Sequence, residues 1–136
     1  MPPPSGRGLY GGRWNNAGRS MVYTAGTLSL AALEMLVHLE AGDLERGYSV
    51  VPVMFQADLA TDLAALPRDW REDPAPVSTR EAGDAWLVAA KSPALRVPST
   101  IIPQEYNYLL NPRHADFGQI RIGVAESFRF DRRLKH

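Results

Sequence analysis

Gly11-Gly12-Arg13-Trp14-Asn15-Asn16, followed by Met21-Val22-Tyr23-Thr24-Ala25-Gly26-Thr27-Leu28-Ser29-Leu30-Ala31-Ala32-Leu33-Glu34-Met35, is the stretch that decides the fold. It reads as a glycine-rich loop, a short strand and an apolar helix. Met21–Ala25 is β-prone, Gly26-Thr27 breaks it, and the Thr27 hydroxyl suits a helix N-cap. From Leu28 to about Ala41 apolar residues occupy most sides, which predicts a buried helix closed by Gly42. Thr27, Ala31, Glu34 and His38 share its one less apolar stripe. Burying the Glu34 carboxylate there costs several kcal/mol unless a cation or hydrogen-bond donors meet it. Arg13, Tyr23 and Glu34 lie in one loop–strand–helix unit and are expected to converge on one pocket.

Toward the N-terminus, residues 1–19 hold three prolines, five glycines and three arginines with little to bury, so 1–10 is expected to be a flexible arm and 11–136 a single domain. Gly6-x-Gly8-x-x-Gly11 matches the dinucleotide fingerprint in letters only, since no strand precedes it and no helix opens on it. Toward the C-terminus, Tyr48–Ala57 reads as a strand interrupted at Pro52. Ser78-Thr79-Arg80-Glu81 reads as a capping box, opening a helix to about Lys91 that buries Ala82, Ala85, Trp86, Ala89 and Ala90. Ala94–Pro98 and Thr100–Pro103 read as extended, Tyr106–Pro112 as a compact polar-aromatic segment, and Gln119–Phe130 as an alternating strand. Several strands with two helices predict an α+β domain with a mixed sheet rather than a doubly wound one.

Fifteen basic and fifteen acidic residues cancel, so no net field points to nucleic acid or an anionic membrane as partner. The near-uncharged run Ser20–Leu33 is shorter than the roughly 20 residues a membrane helix needs. The N-terminus lacks the apolar core of a signal peptide, and there is no cysteine; a cytoplasmic protein is expected. The three histidines, His38, His114 and His136, have no zinc spacing, so no metal is expected. Ser99 has no G-x-S-x-G setting for a hydrolase nucleophile. Ser99, Asn107, Asn111 and His114 are polar residues flanked by prolines, the kind of setting on which sites are built.

Gly11-Gly12-Arg13-Trp14-Asn15, Val22-Tyr23-Thr24 and Leu28–Glu34 with His38 resemble the RES domain, a family named for an arginine, a glutamate and a serine. Val97-Pro98-Ser99, Ile101-Ile102-Pro103 and Asn107–Pro112 resemble its serine segment, and Phe130–Leu134 its C-terminal end. The resemblance implies an ADP-ribosyltransferase-like fold and the toxin of a bacterial toxin–antitoxin pair. Such a toxin consumes NAD as substrate, transfers ADP-ribose to water, phosphate or a protein acceptor, and pairs with a helix-turn-helix antitoxin. It makes Glu34, Arg13, Tyr23 and Ser99 the catalytic candidates, and Gly12, Arg13, Tyr23, Asn107 and Asn111 the NAD-binding ones. The family usually has an upstream strand carrying another arginine; only twelve residues precede Arg13 here, which leaves open a shortened member lacking that strand, a piece of a longer chain or a trimmed N-terminus. This departure keeps a second function class open, an interaction module that holds its antitoxin without cleaving NAD.

Overall fold

The structure, a computed structural model, describes residues 11–134; the arm expected at 1–10 lies outside them. Its frame is a four-stranded mixed sheet in the order β1-β6-β5-β4. Strand β1 (Val22–Ala25) pairs antiparallel with β6 (Tyr106–Leu110), β6 pairs antiparallel with β5 (Ala94–Pro98), and β5 pairs parallel with β4 (Ala60–Asp62). Two short ribbons flank it: β2 (Tyr48–Val50) with β8 (Glu126–Phe128), and β3 (Val53–Met54) with β7 (Arg121–Ile122). Helices α1 (Leu28–Leu36) and α2 (Val77–Ala89) complete the α+β plan expected from the sequence.

Cross-strand partners lie on one face of a sheet, so the register sorts the core. Tyr23, Leu109 and Leu95 are mutually opposite, as are Ala25, Asn107 and Val97. That face packs Leu95, Val97 and Leu109 against Met21, Trp14 and the α2 residue Trp86. The reverse face packs Val22, Ala94 and Leu110 on Ile120. A third cluster joins the end of α1 to the C-terminal segment through Leu36, Leu44 and Phe130, with Tyr48 and Phe128 edge-on to Phe130.

Gly83 explains how α2 comes so near. A Cβ there would lie 1.6 Å from the Trp14 carbonyl oxygen, so only glycine lets the helix press its backbone on the Arg13–Asn16 loop. Asp84 then accepts from the Asn16 backbone N–H and side-chain amide, and the buried Thr79 hydroxyl donates to the Arg13 carbonyl at 2.7 Å.

Several local expectations change. Helix α1 stops at Leu36 rather than near Ala41, because Asp43 accepts from the Glu40 N–H and starts a separate 3-10 turn over Ala41–Glu45. Only Leu30 and Leu36 of α1 are buried, while Leu28, Leu33 and Met35, with Val37 just beyond, are exposed. Helix α2 begins at Val77 behind Pro76, and the Ser78 hydroxyl is taken by Asp69 instead of capping. It buries Thr79, Gly83 and Trp86, whereas Ala85, Ala89 and Ala90 face solvent. Tyr106–Leu110 is a central strand, residues 100–103 form a turn, and residues 119–130 break into β7 and β8.

Candidate active site

Glu34 sits at the end of the second turn of α1, and the polarity around it comes from the far end of the central strands. Its Oε2 accepts from Ser99 Oγ at 2.8 Å and from Asn107 Nδ2 at 2.8 Å. Ser99 follows β5 on the same pleat phase as Leu95 and Val97, while Asn107 is opposite Val97, so the strand pair delivers both donors to one carboxylate. This answers the cost noted from sequence, since each hydrogen bond to a charged group contributes about 1.5–3 kcal/mol.

Ser99 is fully buried, and its oxygen also accepts from the Ile101 and Ile102 N–H groups at 3.1 and 3.2 Å. One proton and two lone pairs are all a serine hydroxyl has, so every valence is used. The Ser99 hydroxyl therefore holds Glu34 and has no valence left for a further partner. Among the described residues, Glu34 Oε1 accepts nothing, and the buried Asn107 Oδ1 has no donor. The carboxylate is thus held from one side and offered from the other.

Tyr23 lies on the same face, one pleat period from Ala25 and Asn107. Its hydroxyl accepts from the Trp14 N–H at 2.8 Å and donates to Asn15 Oδ1 at 2.5 Å, fixing the glycine-rich loop to the sheet. Gly12 makes that possible, because a Cβ there would lie 2.7 Å from the Tyr23 hydroxyl. Arg13 forms no ion pair with Glu34: its Nη1 donates to the carbonyls of Trp70 at 3.1 Å and Glu72 at 2.6 Å. It makes no ion pair among the described residues, so its positive charge and remaining N–H groups are uncommitted. The same loop returns toward Ser99 through Arg71 Nε, which donates to the Thr100 carbonyl at 2.8 Å. Residues 67–73 therefore bridge the arginine loop and the serine turn.

Of the residues singled out from sequence, the fold joins Glu34, Ser99 and Asn107 directly, and sets Tyr23 against Gly12, with its hydroxyl on the Trp14 N–H that follows Arg13. Asn111 is set apart: it follows the last residue of β6, four residues or about 13 Å along an extended chain from Asn107, and lines a cavity behind the end of α2. His114 accepts from the Asp116 N–H, and His38 is exposed beyond the end of α1. Two structural supports of these loops escaped the sequence reading. Asn15 is fully buried and donates to the Arg19 carbonyl at 2.7 Å, and Arg71 lies beside the serine turn. An asparagine within a glycine-rich loop signals local hydrogen bonding of this kind; nothing near Arg71 in sequence marks its contact.

A mixed α+β sheet, with a glutamate held by a serine at one end of its central strands and an arginine loop packed beside it, has the ADP-ribosyltransferase-like plan. The chain belongs to the RES domain family, whose profile it matches over residues 1–132. It is 41% identical to Toxin Res of Yersinia enterocolitica, over 96% of this chain and 88% of that one. It is 35% identical to the Prs ADP-ribosylating toxin of Sphingobium sp., over 96% and 84% of the two chains. It is also 40% identical to Toxin Res of Photorhabdus laumondii, over 83% and 74%.

Proposed function

We propose that this chain is the toxin of a toxin–antitoxin pair and that it cleaves NAD at the nicotinamide–ribose bond, with Glu34 at the reacting centre. The observation that carries the reading is the Glu34 carboxylate, clamped at Oε2 by Ser99 and Asn107 and open at Oε1. The relative named as an ADP-ribosylating toxin supports the same chemistry. NAD suits the donors and acceptors present. Its ribose hydroxyls and carboxamide offer donors to Glu34 Oε1 and Asn107 Oδ1, and its diphosphate offers acceptors to Arg13.

Cleavage of this bond passes through an oxocarbenium-like state, as glycoside cleavage does. A fixed carboxylate oxygen stabilises the positive charge developing on the ribose and accepts from a ribose hydroxyl. The nicotinamide nitrogen leaves with the bonding electron pair. The acceptor oxygen or nitrogen then bonds to the ribose carbon and gives up its proton. Water, inorganic phosphate and a protein side chain all fit as acceptor. Ser99 acts through Glu34, Asn107 both holds Glu34 and offers its Oδ1 to NAD, and Tyr23 acts by holding the loop that presents Arg13.

The exposed Leu28, Leu33 and Met35 lie on the helix that carries Glu34, with Val37 just past its end, so a helix-turn-helix antitoxin seated on this apolar surface would also cover the carboxylate. Among the described residues no helix is long and apolar enough to cross a membrane, which accords with a cytoplasmic toxin.

The test is to incubate the folded protein with NAD and measure nicotinamide release, alone, with phosphate and with cell lysate, identifying products by mass spectrometry. Release that disappears in Glu34→Ala is the expected result. A folded wild type that releases no nicotinamide with any acceptor, yet still binds an antitoxin, would establish the interaction-module reading instead.

A further inference from the structure

A cavity of about 260 Å³ lies at the opposite end of β6 from Asn107 and Glu34, between the last turn of α2, the Gly18–Ser20 turn and the segment after β6. Its polar lining residues are Arg19, Arg113, Ser20 and Asn111, none of them acidic, with Leu87 and Val88 forming an apolar wall. Asn111 is only 5% exposed. Its Oδ1 accepts from the Arg113 N–H at 3.0 Å, which fixes the orientation of the amide, and its Nδ2 has no acceptor among the described residues. A buried amide with one end tied leaves its two N–H donors to face the cavity. Neither the Arg19 nor the Arg113 guanidinium has a carboxylate partner among the described residues. The C-terminus of α2 carries the equivalent of about half a negative charge, so two full positive charges remain largely uncompensated.

We infer that this cavity is a binding site for the phosphate group of a small organic phosphate. A carboxylate has two oxygens and one charge, and it would leave part of this donor set unmet. A phosphate monoester has three terminal oxygens and close to two charges, matching two guanidinium forks, an amide and a hydroxyl. The apolar wall faces the organic body, and the cavity accommodates a sugar phosphate. The inference is independent of NAD cleavage, because the two sites lie at opposite ends of β6.

Ribose 5-phosphate is the probe, titrated calorimetrically at constant ionic strength and followed by the Asn111 side-chain amide in NMR spectra, with inorganic phosphate and ribose as parallel arms. Saturable binding with a Kd below about 1 mM and a shifted Asn111 amide are expected, with ribose inert and inorganic phosphate weaker. The double substitution Arg19→Gln/Arg113→Gln should weaken binding at least tenfold. Asn111→Asp keeps the acceptor for the Arg113 N–H and should abolish binding at an unchanged melting temperature. Glu34→Gln should leave it as in wild type. Absence of saturable binding overturns the inference. So does binding lost in Glu34→Gln but kept in the arginine double variant, which puts the phosphate at the Glu34 site. Equal affinity for inorganic phosphate and ribose 5-phosphate overturns the assignment of an organic ligand.

Discussion

Glu34→Gln separates the charge of the carboxylate from its geometry. A glutamine can point its carbonyl oxygen where Oε2 now lies and accept from both Ser99 Oγ and Asn107 Nδ2, so both bonds survive as neutral ones. A hydrogen bond falls from about 1.5–3 kcal/mol with a charged partner to about 0.5–1.5 kcal/mol without one. Two such bonds, offset by the smaller cost of burying a neutral group, give a net destabilisation of about 1–2 kcal/mol. For a domain of this size that lowers the melting temperature by roughly 3–8 °C. The effect on turnover is larger, since losing one fixed electrostatic contact to a transition state typically costs about 3–4 kcal/mol, or two to three orders of magnitude. Nicotinamide release under saturating NAD, measured beside a thermal melt, reads both. A variant that stays folded and keeps more than about a tenth of wild-type turnover, against the hundredfold loss expected of an electrostatic contact, would refute the role given to Glu34.

Ser99→Ala should be the more damaging change to stability, because it strips a buried acceptor from the Ile101 and Ile102 N–H groups as well as a donor from Glu34. With each orphaned group costing about 1–3 kcal/mol, urea unfolding should show a loss of at least about 2 kcal/mol. Gly83→Ala should destabilise even though alanine is the better helix former by about 1 kcal/mol, because its Cβ would meet the Trp14 carbonyl; a stabilised variant by denaturant midpoint contradicts the packing described. Arg13→Ala should speed hydrogen exchange across residues 67–73, whose Trp70 and Glu72 carbonyls it holds, and unchanged exchange there would remove that tether. Asp131 is held below the usual carboxylate range by its side-chain hydrogen bonds to Arg133, then by the Arg133 backbone N–H. A lowered folded value means stabilisation present above the unfolded value near 3.8 and lost as pH falls through the folded one. Carboxyl NMR titration should find Asp131 returning toward its ordinary value in Arg133→Gln.

The legible parts of the fold were those fixed by local chemistry. Thr27 caps α1 through the Leu30 N–H, and Pro52 separates β2 from β3. What escaped was set by long-range burial. Tyr106–Leu110 shows no alternation because both its faces are covered, one by Trp14 and Trp86 and the other by Ile120, so the period-two signal of a half-exposed strand is missing. Helix α1 is apolar nearly all round, and its composition does not reveal that only Leu30 and Leu36 turn inward. In the site, the polarity of Glu34 flagged an anomaly, but its partners stand 65 and 73 residues away and meet it only through the β5–β6 register. Asn111 shows the converse: four residues from Asn107 in sequence, it lines a cavity with Arg19 and Arg113, whereas the Arg13 guanidinium hydrogen-bonds the Trp70 and Glu72 carbonyls.

The two halves of the carboxylate clamp differ in how firmly they are anchored. Ser99 and Asn107 belong to the central strand pair, the part of the sheet expected to open only with global unfolding. Glu34 rides on nine residues, fewer than the roughly 12–15 an isolated helix needs to persist in water. That helix is pinned by Leu30 and Leu36, worth about 1.5–3 kcal/mol each, and by the clamp itself. The lowest-energy opening that removes the carboxylate therefore melts α1 alone and leaves the sheet intact. Release of the carboxylate and global unfolding are then different equilibria, and amides of α1 should exchange with solvent well before those of β5 and β6.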